Sequence, residues 1–210
     1  MEQRQEDRTL LWEREPVLVY TPPDLAPPPG APRRALAWRA RLEAAWRRRW
    51  EGPLYRRACA ALAAARAASR PFVPWRAALT GAWTEGEEVL CLRWEAAETV
   101  EGRRRALWGS ALWALPGGGI VTAEELLGRG WKRWAVAQAA AQIQARLDSG
   151  QSVFYPDWRR RLKGQAREER LFWTGEGWAL FCPMCALAPA LEGTPVFPLT
   201  PPAKEPAGKK

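Results

Sequence analysis

Hydrophobic spacing changes period several times along the chain, and each change predicts an element. Val17-Leu18-Val19-Tyr20 is a short apolar run, followed by Thr21-Pro22-Pro23-Asp24 and Pro27-Pro28-Pro29-Gly30. Proline bars these stretches from a helix interior or a central strand, so the segment reads as an edge strand leading into a stiff linker. Between Pro32 and Trp50, Trp38, Leu42 and Trp46 recur every four residues and share one side of a helix, with Arg47 and Arg48 turned away. Glu51-Gly52-Pro53 breaks that run. Leu54, Ala58, Leu62 and Ala65 then occupy one face of a second helix, which Arg70-Pro71 ends.

From residue 73 to 115 the period falls to two. Leu90, Leu92, Trp94 and Ala96 alternate with Cys91, Arg93 and Glu95, the pattern of a half-buried strand. Thr84-Glu85-Gly86-Glu87 and Glu101-Gly102-Arg103 are turn-like, and Leu107 to Leu115 is apolar on both faces before Pro116-Gly117-Gly118-Gly119. This predicts a meander of three antiparallel strands.

Thr122-Ala123-Glu124-Glu125 is a capping box that starts a short helix. A longer helix follows from Trp131 to about Asp148, with Val136, Ala140, Ile143 and Leu147 as its predicted buried stripe. A short basic helix, Trp158 to Lys163, has Asp157 as its expected cap. Leu171-Phe172-Trp173 and Trp178-Ala179-Leu180-Phe181-Cys182 flank Thr174-Gly175-Glu176-Gly177, a hairpin signal. The expected fold is α+β: a mainly antiparallel sheet (meander plus C-terminal hairpin) with helices packed on it. Residues 1–30 form an N-terminal strand and Pro-rich segment, 31–200 a single domain, and 201–210 a frayed tail.

Composition then removes whole classes of function. There is no His among 210 residues, so no Ser-His-Asp triad, Cys-His dyad or imidazole metal site can be built. No apolar run approaches the roughly 20 residues of a membrane span. Met1 to Arg8 leads into no apolar signal region, so the expected compartment is the cytoplasm. The net charge of +9 comes from Arg far more than Lys, in a chain also rich in Ala, Gly, Pro and Trp. GC-rich coding produces that pattern, which lessens the charge as a sign of anionic partners.

Three features could carry chemistry. Cys182-Pro183-Met184-Cys185 has the spacing of half a zinc site or a redox pair, making Cys182 and Cys185 the only metal candidates. Cys59 and Cys91 are too isolated in sequence to complete a four-ligand set, and the pair follows a strand rather than opening a helix, where a dipole would stabilise a thiolate. Glu87, Glu88, Glu95, Glu98 and Glu101 cluster about one hairpin, without a spacing that singles out a catalytic pair. Arg47-Arg48-Arg49, Arg103-Arg104-Arg105 and Arg159-Arg160-Arg161 lie near Trp46, Trp108 and Trp158, an arrangement that can bind anionic polymer such as nucleic acid. No catalytic residue and no cofactor is expected.

From Leu107 to Pro202 the order of elements resembles the C-terminal domain of RsiV-type anti-sigma factors, the RsiV-like or lysozyme-binding domain family of unknown function. The likeness rests on three stretches. They are Gly119-Ile120-Val121-Thr122-Ala123-Glu124-Glu125-Leu126-Leu127, the hairpin Leu171 to Trp178, and the closing signature Cys185-Ala186-Leu187-Ala188-Pro189-Ala190-Leu191-Glu192-Gly193-Thr194-Pro195-Val196-Phe197. Val100-Glu101-Gly102-Arg103-Arg104 stands where the family has Gly-Gly-Ala-His-Gly, and Cys185, Ala186 and Ala190 replace a Tyr, a Glu and a second Tyr. The resemblance implies an α+β fold ending in a further strand and a non-catalytic, sensor-like binding role toward a protein or envelope-derived ligand. It marks Trp173, Trp178, Cys185, Pro189 and Gly193 as binding positions.

Overall fold

A computed structural model describes residues 6–201. The tail expected beyond Pro201 and the first five residues of the leader reading lie outside the described residues. The protein is α+β. A five-stranded, mainly antiparallel sheet has strands β1 (Arg8–Trp12), β2 (Glu15–Tyr20), β3 (Trp75–Glu85), β4 (Val89–Val100) and β5 (Arg103–Ala114) in that spatial order. A second sheet joins β6 (Leu171–Trp173), β7 (Trp178–Phe181) and β8 (Val196–Leu199), all antiparallel. The helices are α1 (Arg33–Arg49), α2 (Tyr55–Ala67), α3 (Ala123–Leu127), α4 (Trp131–Asp148) and α5 (Trp158–Leu162). No helix among the described residues is long and apolar enough to cross a membrane.

The chain divides into two compact units. One takes the residues through Trp83 with Arg93–Trp108, the other Thr84–Leu92 with the residues from Gly109 onward.

In the first unit, β2 is not the expected edge strand. It lies between β1 and β3, and its pairing with β3 is parallel, Leu18 opposite Trp75 and Tyr20 opposite Ala77. Parallel neighbours need a long crossover, and α1 and α2 supply it. The outer strand, β1, was not expected: its apolar run Leu10-Leu11-Trp12 is only three residues long, and a register shift between Leu10 and Leu11 breaks the alternation. The Pro-rich stretch is anchored: Leu25 is buried, its N–H donates to Glu43 Oε1 at 2.9 Å, and its carbonyl accepts from Trp83 Nε1 at 3.1 Å.

The break expected at Glu51-Gly52-Pro53 is a π-helical turn, Trp50–Leu54, that carries the helix axis onward. A wider turn accommodates the proline, which has no N–H to donate and would clash in a regular α-helix. It also buries Trp50 completely, 5.5 Å from the ring of Tyr20 and 6.0 Å from that of Trp46. Ala58, Leu62 and Ala65 are buried on α2 as the spacing predicts.

Between β4 and β5 the turn residues Glu101 and Gly102 both have positive φ, 50° and 75°. That is the backbone of a tight hairpin, and glycine adopts it without strain. In β4 the alternation begins later than expected. Val89, Leu90, Cys91 and Leu92 are all buried, so the first third of the strand is covered on both faces.

In the second unit, Thr122 and Glu125 form the predicted capping box, each side chain bonding the other's backbone N–H at 3.2 and 2.7 Å. The buried stripe of α4 is Trp131, Ala135, Ala139 and Ile143, so only Ile143 of the predicted set is fully buried. Val136, Ala140 and Leu147 flank it, half-buried, because small alanines let the backbone approach more closely than the larger residues do. Ala139, Ile143, Phe154, Trp158, Leu162, Leu187 and Phe197 form one apolar cluster with Cys182.

Helix α4 meets β8 through a ladder. Gln138, Gln142 and Arg146 donate to the carbonyls of Thr200, Pro198 and Val196 at 2.6, 2.7 and 3.0 Å, and Thr200 N–H returns a bond to Gln138 at 2.9 Å. Steps of four residues on a helix and two on a strand both advance about 6 to 7 Å, so the registers agree. On the opposite side of this sheet, the hydroxyls of Ser110 and Thr84 donate to the β6 carbonyls of Leu171 (2.6 Å) and Trp173 (2.5 Å).

Candidate functional site

The hairpin β6–β7 sets Trp173 directly opposite Trp178, their ring centroids 5.4 Å apart and inclined at 67°. This edge-to-face arrangement is favourable for aromatic quadrupoles. Trp178 is buried and Trp173 half-buried. Gly86, in the turn between β3 and β4, lies against the second indole. A Cβ there would stand 3.1 Å from Nε1 of Trp173 and 3.2 Å from its Cε2.

These residues line a cleft of about 870 Å³ within the second unit. Val89, Leu126, Leu127 and Pro201 extend its apolar surface, while Glu85, Glu87 and Glu88 are exposed on the turn that borders it. Among the described residues, no Arg or Lys lines it and none of the three glutamates forms an ion pair. Cations outnumber acids 32 to 23 in the chain, so a cleft whose described lining bears three carboxylates departs from the average surface. An apolar, aromatic concavity with a few convergent charges is the usual form of a ligand site.

The acidic cluster expected on the hairpin is divided. Glu87 and Glu88 border the cleft, with Glu85, which sequence reasoning did not single out. Glu95 instead pairs with Arg104, and buried Glu98 accepts two bonds from Arg49 at 2.6 and 2.8 Å. The turn-like composition of Thr84-Glu85-Gly86-Glu87 marked the turn, while the hydrophobic partners that make it a cleft come from residues 126, 127 and 173 onward.

The remaining signature positions lie away from the cleft lining. Cys185 is exposed in the left-handed region (φ 64°), Pro189 precedes a single 3₁₀ turn, and Gly193 ends it at φ 66°. That turn places Glu192 to accept from Val153 N–H at 2.9 Å. Their geometry is that of a shaped loop.

All four cysteines are free thiols. Cys182 is completely buried in the α4–α5 cluster, and that burial pushes its thiol up to about 12. An activated nucleophile requires the opposite shift. No group of three or more His, Cys, Asp or Glu side chains able to hold a metal occurs among the described residues.

The basic clusters also separate. In α5, Arg160 and Arg161 both bond Asp157 at 2.7 Å, and Arg159 bonds Gln144 at 2.6 Å while lying 4.5 Å from the Trp158 ring. Asp157 therefore does not cap α5 as expected. Its carboxyl is held below the ordinary aspartate value by Arg161 first and Arg160 second. Of the 14 Trp, six are buried and eight half-buried, with none fully exposed.

Fold and cleft together define an α+β protein with one large aromatic concavity in its second unit. No family model matches the sequence, and no curated protein matches it. Among solved structures it is similar to the crystal structure of a DUF3298 family protein from Pseudomonas aeruginosa PAO1. The TM-score is 0.43 at 13% identity, over 59% of this chain and 57% of that one.

Proposed function

We propose that this chain is a non-catalytic binding module of the RsiV-like kind, and that the Trp173–Trp178 cleft receives its ligand. The observation that supports this reading most is the convergence of two signature tryptophans with three carboxylates, unpaired among the described residues, around one cavity of about 870 Å³. The ligand is a protein segment or envelope-derived molecule carrying both positive charge and apolar surface. Carboxylates attract the charge, and an aromatic face accepts a cation or an apolar group equally well. The cytoplasmic expectation belongs to the same proposal, and cell fractionation tests it.

The test is biolayer interferometry on the full chain with basic, neutral and acidic peptides and with neutral glycan fragments. Basic peptides containing aromatic or aliphatic residues should bind, and the Trp173→Ala and Glu87→Gln/Glu88→Gln variants should weaken them by about tenfold or more, the loss typical of a central anchor. Equal retention of acidic peptides, or variants that bind like the parent, would remove the cleft from this role.

A further inference from the structure

The first unit holds a second concavity, of about 340 Å³, with the opposite electrostatic character. Trp46 and Arg49 of α1, Arg57 of α2, Glu98 of β4, and Arg105 and Leu107 of β5 line it. Two basic clusters far apart in sequence, 47–49 and 103–105, thus each contribute one arginine to its lining.

Each guanidinium is held differently. Arg49 grips Glu98 through Nε and Nη2 and stands 5.7 Å from the Trp46 ring, which leaves Nη1 without a hydrogen bond among the described residues. Arg57 lies 5.6 Å from the ring of Trp75. Stacking on an aromatic face orients a guanidinium without consuming its in-plane N–H donors. Arg105 is exposed on β5, and neither it nor Arg57 makes an ion pair among the described residues. Leu107, 49% exposed, adds an apolar wall beside these cations.

We propose that this cleft binds the phosphate group of a phosphorylated small molecule. Three guanidinium charges and one carboxylate leave a net of +2 at the site. A phosphate monoester carries roughly −1.5 to −2 at neutral pH, close to that balance. Arg57 and Arg105 supply forked donors to the phosphate oxygens, and Glu98 acts by holding Arg49 in place. The organic part of the ester rests on Leu107. A carboxylate fits the same fork with about half the charge, so affinity separates the two.

Isothermal titration calorimetry on the full chain at low salt tests this with phenyl phosphate, inorganic phosphate and benzoate. Phenyl phosphate should bind at least about tenfold tighter than benzoate and be displaced by inorganic phosphate. Arg105→Ala should weaken it by about tenfold, and Arg57→Lys should weaken it too, since lysine keeps the charge and loses the fork. Arg105 is exposed, so an unchanged melting temperature verifies that its variant is folded. Absence of binding at millimolar concentration, benzoate binding as tightly, or Arg105→Ala binding like the parent would overturn the proposal. So would tighter binding of single-stranded oligonucleotide with a salt slope beyond about two phosphates, which would assign these arginines to a polymer. The site shares no residue with the Trp173 cleft, so the two binding readings fail or succeed separately.

Discussion

Gly86 leaves room for the indole of Trp173: a Cβ at residue 86 would approach Nε1 to 3.1 Å. The two residues are 87 positions apart, yet the glycine in a β3–β4 turn decides where the Trp173 wall of the cleft stands. Gly86→Ala should displace the ring by a few tenths of an ångström and lower stability by about 1 kcal/mol, the low end for overpacking because one ring can yield. Near-ultraviolet circular dichroism reads the tryptophan environment directly. An unchanged spectrum together with unchanged peptide affinity would contradict this link.

Arg49 and Glu98 give a second prediction. Arg49→Ala leaves the Glu98 side chain, 11% exposed, without its counter-charge. Breaking a buried pair costs about 3–5 kcal/mol, but the Arg49 side chain is 47% exposed and water can take its place in part. The expected loss is therefore about 2 kcal/mol by urea denaturation. Arg49→Ala combined with Glu98→Leu should recover part of it. A double variant less stable than the single one would show that the carboxylate has another role.

The cysteines should differ sharply in chemistry. Cys185 is exposed and should be alkylated by iodoacetamide at neutral pH, whereas Cys182 should react only on unfolding. A thiol at about 12 in the fold, against an ordinary 9.0, also creates pH-dependent stability. Below pH 9 both states are protonated and the stabilisation is complete. Between pH 9 and 12 only the unfolded chain loses the proton, so stability falls by about 1.4 kcal/mol per pH unit. Cys182→Ala should flatten that alkaline slope while lowering stability at pH 7. A slope the same in both proteins would place its origin elsewhere.

The α4–β8 ladder yields a fourth prediction. Gln142→Ala removes the donor to the Pro198 carbonyl and should cost about 0.5–1.5 kcal/mol. Gln138→Ala removes bonds to both the N–H and the carbonyl of Thr200 and should cost more. Amide hydrogen exchange of Thr200 should accelerate in the Gln138 variant and stay unchanged in Gln142→Ala.

The elements legible from sequence were those whose signals are local. The Thr122–Glu125 capping box, the Thr174–Gly177 hairpin and the meander turns all sit within a few residues of the atoms they organise. Features built by distant partners were not legible. β1 is short and its register shifts between Leu10 and Leu11, so it shows no alternation, and the parallel pairing of β2 depends on a crossover of more than fifty residues. The cleft followed the same rule. Trp173 and Trp178 were marked by a family resemblance, but their neighbours on the β3–β4 turn and α3 come together only in three dimensions. Conversely, Asp157 looked like a cap by position and lost that role to two arginines one turn away, whose guanidinium charge outcompetes a backbone N–H.

The three-stranded sheet β6–β7–β8 has a consequence for assembly. Its β8 carbonyls are occupied by side chains from α4, and its β6 carbonyls by Thr84 and Ser110. Pro198 further removes one donor from the β8 backbone. Neither margin of the sheet offers a free row of acceptors to an incoming strand, so polymerisation by strand addition is disfavoured here at both ends. Recognition at this sheet therefore falls to side chains rather than to extension of its backbone hydrogen bonding.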